Sequence, residues 1–252
     1  MAYRQRAPDA VFRPLVDAYW INQPSASDAM PFDRILPDGC IDLVFRGDAS
    51  GGRLFASALI EQPVILHGGE PAWFAGVRFR PAMMRAVLDV EPADCRDRDT
   101  PASLIHAEFA ALERRLQECA SPQEALATLK HAVDQRLANG ARRAAPPRVQ
   151  EALAALARGG EVHRVARAVG LSERSLHRDV VRWSGLAPKP LARILRMQRC
   201  LAALRAGRMP LALLALRLGY ADQAHMTREL KALAGVTPRE VVPAVRNLQD
   251  AA

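Results

Sequence analysis

Aromatic residues are scarce. Phe, Trp and Tyr make up 5% of the 252 residues, whereas half of the chain is hydrophobic, so any core is mostly aliphatic. Cysteine is scarcer still. Cys40, Cys95, Cys119 and Cys200 are scattered with no CxxC and no nearby histidine pair, so neither a metal site nor a disulfide framework is indicated, and they read as a reduced set. No run approaches the roughly 18 apolar residues that span a bilayer. The stretch "MAYRQRAPDAVF" lacks the apolar core of a signal peptide. The expectation is a soluble, cytoplasmic protein with no membrane partner. A phosphate-cradling P-loop and a G-x-S-x-G elbow are also missing.

Charge is present, but unevenly. Residues 1–141 hold 15 Lys/Arg against 19 Asp/Glu, and residues 142–252 hold 20 against 8, so −4 is joined to +12 within a net +8. A basic segment joined to a mildly acidic one fits a polyanion-binding module carried by something else, and nucleic acid is the commonest such polyanion. An Arg-rich composition without a partner is the bland alternative.

Residues 1 to about 80 are rich in Pro, Gly and short apolar runs. "RILPDGCIDLVFRGD" reads as strand, turn, strand, with Pro37 and Gly39 in the turn and Ile41, Leu43 and Phe45 on one strand face. "RLFASALI", "PVILHG" and "WFAGVRFR" are further strand candidates. From Pro81 the period changes, and "PAMMRAVLDV", Pro101–Glu118 and Pro122–Ala138 read as helices with prolines near their starts. Asn139 to Arg148, "NGARRAAPPR", is the best linker. Beyond it nearly everything has helical period. The expected architecture is α+β: residues 1–140 a β-rich then helical sensor or dimerisation domain, 141–148 a linker, and 149–252 an all-α domain.

Within that last segment the chain repeats itself. At an offset of 49, Val162, Val165, Ala166, Val169 and Gly170 answer to Leu211, Leu214, Ala215, Leu218 and Gly219. At an offset of 50, Ser172, Leu176, Arg178, Gly185 and Pro188 answer to Asp222, Met226, Arg228, Gly235 and Pro238. Each copy reads as helix, glycine turn, helix, at about 161–184 and 210–234. Gly170 and Gly219 can take positive φ where the first helix stops, and Ser172 and Asp222 can cap the second. Leu176 with Val180, and Met226 with Leu230, form the core-side stripe. The opposite side carries Arg174, His177 and Arg178 in one copy and Gln223, Thr227 and Arg228 in the other, groups able to hydrogen-bond base edges or phosphates. Between the copies, Leu191, Ile194, Leu195, Met197, Leu201 and Leu204 supply one apolar side, with Arg193, Arg196, Arg199 and Arg205 largely elsewhere. Fifteen helical residues there span about 22 Å, enough to hold two recognition helices along one side of a duplex whose major-groove entries are about 34 Å apart.

These residues resemble the DNA-binding region of the AraC/XylS family of bacterial transcription regulators, over about residues 147–243. The most specific part is "LGYADQAHMTRELKALAGVTPREV". The resemblance assigns family positions to Gly219, Tyr220, Asp222, Gln223, Thr227, Arg228, Lys231, Gly235 and Pro238, and in the first copy to Gly170, Ser172, Leu176, Arg178, Gly185 and Pro188. Met226 and Leu230 stand where the family usually has aromatics, Val242 where an arginine is common, and Ala224 where a longer polar group is frequent. "ILPDGCIDLVF" and "AGVRFRPAMMRAVLDV" resemble an N-terminal domain of one branch, whose ligand is generally unassigned. The resemblance implies double-stranded DNA as partner and no cofactor. RNA polymerase, a small-molecule effector and a second copy of the chain, joined through the N-terminal half, are the further partners it implies.

Rival constellations are thin. Asp38, Cys40 and Asp42 in "PDGCID" could form a nucleophile or metal cluster, but a turn Asp, a buried strand Cys and an edge Asp explain them more simply. His67 could be a ligand in a cupin-like barrel enzyme, yet it lacks a His or Glu partner at strand spacing. Trp73 and Phe74 fill a core or line an effector pocket, with the core reading favoured. The chain is therefore expected not to be an enzyme, and the alternative is a nucleic-acid or protein-interaction protein without sequence preference.

Overall fold

The computed structural model describes residues 2–23, 33–48, 51–66, 72–95, 99–139, 145–207 and 209–244. The part of the chain up to Pro101 supplies strands β1 (Ala2–Arg6), β2 (Val16–Gln23), β3 (Asp33–Ile35), β4 (Ile41–Gly47), β5 (Arg53–Ala56), β6 (Val64–Leu66), β7 (Trp73–Phe79) and β8 (Thr100–Pro101). Six of them form an antiparallel sheet in the order β1-β2-β7-β4-β5-β8, and β3 pairs with β6 in a two-stranded ribbon. Alternation along the strands divides the side chains. Tyr19, Ile21, Leu43, Phe45, Val77 and Phe79 share the main core, while Tyr3, Trp20, Val44 and Phe55 form a small cluster of their own. The expected faces of "CIDLVF" are therefore present, but β3 does not pair with β4: the Pro37–Gly39 turn sends the chain to a different sheet. His67 lies outside the described residues.

The strand order also corrects one reading. Asp42 is not an edge residue, because β4 lies between β7 and β5. It is buried, with its carboxylate accepting from Arg78 Nη2 at 3.0 Å and Nε at 3.2 Å and from Trp20 Nε1 at 2.8 Å. Burial pushes the Asp42 carboxyl up to about 6, against the pull of Arg78. Asp38 adds a second carboxylate 3.6 Å from Arg78 and accepts from the Cys40 backbone N–H, which pins the turn. Cys40 precedes β4 and is half-buried rather than a buried strand residue.

The helices are α1 (Met84–Leu88), α2 (Ala102–Ile105), α3 (Ala107–Gln117), α4 (Pro122–Ala138), α5 (Pro147–Ala157), α6 (Val162–Ala168), α7 (Glu173–Ser184), α8 (Pro188–Ala206), α9 (Leu211–Arg217), α10 (Gln223–Ala234) and α11 (Pro238–Ala244). Helix α4 starts on Pro122 behind Ser121, whose hydroxyl accepts from Glu124 N–H while Glu124 Oε2 accepts from Ala120 N–H, a reciprocal cap. It packs on β2 and β7. The expected helix over Pro101–Glu118 is broken, because His106 adopts an extended backbone and caps α3. Residues 140–144 of the expected linker lie outside the described residues, and Ala145 beyond them is buried.

Packing runs across the expected boundary. The main core continues from the sheet through α4 and α5 to Leu176, Val180, Trp183, Leu186, Leu191 and Ile194. Arg85 lies 5.2 Å from the Trp183 ring centre. Gly185, at φ +76, sits so close to the first part of the chain that a Cβ there would lie 2.6 Å from Leu59 and 2.9 Å from Pro92. A second core gathers Met197, Cys200, Leu201, Leu204, Leu214, Met226, Leu230 and Leu233, and Leu36 from the N-terminal part joins it.

Asp42→Ala leaves Asp38, 3.6 Å away, as the carboxylate facing Arg78 in a buried site. Removing one partner of a buried ion pair costs about 3–5 kcal/mol, so the midpoint of denaturant unfolding should fall sharply. A midpoint within error of the parent would show that Asp38 alone neutralises Arg78.

Candidate nucleic-acid interface

The two repeats fold alike, down to individual hydrogen bonds. In the first, Gly170 N–H donates to Arg167 O at 3.2 Å and Leu171 N–H to Ala166 O at 2.9 Å. In the second, Gly219 N–H donates to Leu216 O at 3.1 Å and Tyr220 N–H to Ala215 O at 2.9 Å. Gly170 takes φ +68 and Gly219 φ +80, and a Cβ at either would meet nothing within 4 Å. Glycine is required here by the backbone conformation, not by crowding.

The caps follow suit. Ser172 Oγ accepts from Ser175 N–H at 3.2 Å, and Asp222 Oδ1 from His225 N–H at 2.6 Å, each satisfying an N–H group that α7 or α10 would leave free. Both helices end on a left-handed glycine: Gly185 N–H donates to Val181 O at 2.8 Å and Gly235 N–H to Lys231 O at 3.0 Å. Leu176 and Val180 on α7, and Met226 and Leu230 on α10, are fully buried. The opposite sides are open. Arg174, His177 and Arg178 on α7 and Gln223, Ala224 and Arg228 on α10 are exposed. Thr227 is half-buried and its hydroxyl donates to Gln223 O at 2.9 Å, while the exposed Lys231 donates to Gly235 O at 3.1 Å. Arg178 also lies 3.5 Å from Asp179.

Helix α8 joins the two units. Its 19 residues span about 28 Å, longer than the apolar stripe alone suggested. Leu191 and Ile194 belong to the first core, and Met197, Cys200, Leu201 and Leu204 to the second. Of its arginines, Arg193 and Arg196 do not face solvent freely but reach Glu229 on α10, at 3.1 and 2.7 Å. Arg199 donates to Arg158 O at 3.1 Å, at the end of α5. Burial pushes the Tyr220 hydroxyl well above its ordinary range and the Cys200 thiol up to about 11, so both stay neutral at physiological pH. These contacts, like Gln198 Nε2 donating to Pro37 O at 2.6 Å, join residues at least 33 positions apart, and the local pattern carries no sign of them.

Among the described residues no group of three His, Cys, Asp or Glu side chains could hold a metal ion, and no helix is long and apolar enough to cross a membrane.

Because the two turns share one geometry, Gly170→Ala and Gly219→Ala should each destabilise by about 1 kcal/mol, and Asp222→Ala by a similar ~1 kcal/mol. Unfolding curves of the three single variants check this. No change at Gly219 would mean that the turn relaxes out of the left-handed region.

The family profile described as "Helix-turn-helix domain" matches residues 165–243, and one described as "Domain of unknown function" matches residues 4–101. No curated protein matches the chain. Among solved structures, the chain is similar to a transcriptional regulator with an AraC-type DNA-binding domain from Chromobacterium violaceum, at 23% identity over 38% of this chain and 89% of that one, TM-score 0.36. It is also similar to the C-terminal domain of AraT, a response regulator from Geobacillus stearothermophilus, at 21% identity over 43% and 95%, TM-score 0.38. ToxT from Vibrio cholerae O395 aligns at 9% identity over 90% and 98%, TM-score 0.45. With the paired turns and open helix faces, the profile match identifies residues 165–243 as a helix-turn-helix domain, behind an N-terminal domain of unknown function.

Proposed function

We propose that the chain binds DNA sequence-specifically by placing α7 and α10 in two adjacent major grooves. The observation that carries this reading is the duplicated turn-and-cap geometry on one shared helix, with the polar side of each second helix open. In this reading Arg174, His177 and Arg178 on α7, and Gln223, Thr227 and Arg228 on α10, contact bases or phosphates. Lys231 adds charge at the far end of α10, and Ser172 and Asp222 orient the two helices by capping them. The +12 charge of residues 142–252 supplies the general attraction to phosphate.

In this reading residues 1–140 act as a sensor or dimerisation domain that controls the DNA-binding domain of residues 149–252, with 141–148 as the connection, whose last two residues already open α5. The packing of Trp183, Gly185 and Leu186 against the sheet body supports control, because it gives that body a direct hold on the end of α7. A cleft of about 570 Å³ between the two parts is lined by Val11, Leu15, Met83, Leu153 and Leu195, with Arg80 and Arg158 beside them, and is a place where a small-molecule effector would touch both. RNA polymerase and a second copy of the chain are the remaining partners of this reading, and its compartment is the cytoplasm.

Selection of bound fragments from a random-sequence duplex library, with the full chain, should yield a preferred sequence whose complex is salt-sensitive and survives excess random DNA. Arg178→Ala or Arg228→Ala should then weaken the selected complex by about 1–3 kcal/mol and the random one less. Equal weakening of both would make these side chains phosphate contacts, and failure to enrich any sequence would leave only non-specific binding.

A further inference from the structure

The recognition helix α10 carries a single acid, Glu229, and it is buried at 6% exposure, one residue after Arg228. A buried carboxylate is costly unless several donors meet it. Here Arg193 Nε reaches Oε2 at 3.1 Å, and Arg196 reaches Oε1 through Nε at 3.1 Å and through Nη2 at 2.7 Å. The same Arg196 donates through Nη1 to Gly219 O at 3.1 Å and stands 4.5 Å from the Tyr220 ring centre. His225 Nε2 completes the group at 3.8 Å from Glu229. One guanidinium on α8 therefore touches the turn before α10, the aromatic that follows the turn glycine, and the middle of α10 itself.

The repeat supplies the comparison. At the offset of 50, Glu229 answers to Asp179 on α7. Asp179 is a methylene shorter, and its nearest cations are Arg178 Nε at 3.5 Å and Arg148 Nε, from α5, at 3.8 Å. Its Oδ2 is buried and accepts no hydrogen bond among the described residues. The helix before each unit thus sends arginine to the same place on the recognition helix, tightly in the second copy and loosely in the first.

We propose that Glu229, held by Arg193 and Arg196, is a positioning residue for DNA recognition: it fixes the pose of α10 on α8, so that sequence discrimination by the second unit depends on a side chain turned away from the duplex. Asp179 is its weaker counterpart. The inference rests on the reading that α10 enters a groove, and it also has a consequence in the free protein.

The test uses the full chain, a duplex that the wild-type chain selects from a random-sequence library, and an unselected random duplex. Glu229→Gln preserves shape and removes the charge that two arginines share. Affinity for the selected duplex should fall about tenfold, a loss of one strong charged contact, while affinity for random duplex holds or rises because the chain becomes more positive. Asp179→Asn should change the selected complex less than about threefold, in keeping with a weak pair. Arg196→Gln combined with Glu229→Gln should be no worse than the more severe single variant, because the two act as a unit. Without DNA, amide exchange in α10 should quicken about tenfold in Glu229→Gln and remain unchanged in α7. An unchanged preference for the selected duplex, an equal loss on both duplexes, or unchanged exchange in α10 overturns the proposal. If the wild-type chain selects no sequence, the DNA reading itself falls, and the exchange measurement still decides whether Glu229 sets the pose of α10.

Discussion

Everything in the helical part depends on α8 being shared between two hydrophobic cores. Leu191 and Ile194 turn into one, and Met197, Cys200, Leu201 and Leu204 into the other. Two short helix pairs of this kind bury too little surface to hold a fixed relation by themselves. A continuous helix through both cores gives them one, because its rise and twist per residue are set by backbone hydrogen bonds. The ion group between Arg193, Arg196 and Glu229 then adds a directional contact where aliphatic packing alone would permit sliding.

The N-terminal part grips the same helix along its length. Gly39 sits where a Cβ would come within 3.0 Å of Leu191, Pro37 O receives Gln198, and Leu36 enters the second core. That loop is in turn tied to the sheet by Asp38 and Asp42 on Arg78. A chain of packed and charged contacts therefore runs from the sheet interior to the joint between the two helix-turn-helix units.

Local chemistry made much of this legible. Glycine at positive φ followed by a capping Ser or Asp is a short-range code, and at Gly170, Ser172, Gly219 and Asp222 the expected turns and caps are present. Pro122 marked the start of α4 for the same reason. What depends on distant partners was not legible. Strand β2, "VDAYWINQ", carries buried side chains on both faces, so it lacks the apolar-polar alternation that marks a half-exposed strand. The place of Asp42 follows from strand order, which no local pattern encodes. The sequence places the arginines of α8 off its apolar side, but nothing local points to Glu229, 33 residues beyond Arg196, which the fold brings beneath them. Asp179, Arg174 and Arg228 carry the same ambiguity: their residue types permit contact with DNA or with protein, and only the folded chain shows which neighbours they have.

The central claim is that one chain presents two recognition helices to one face of a duplex. Hydroxyl-radical footprinting of the full chain on a selected duplex, with the stoichiometry fixed by light scattering, measures it directly. The account predicts one chain per duplex and two protected segments on the same face, about one helical turn or 10–10.5 base pairs apart. A single protected segment, or two segments that form only with two chains bound, would contradict it.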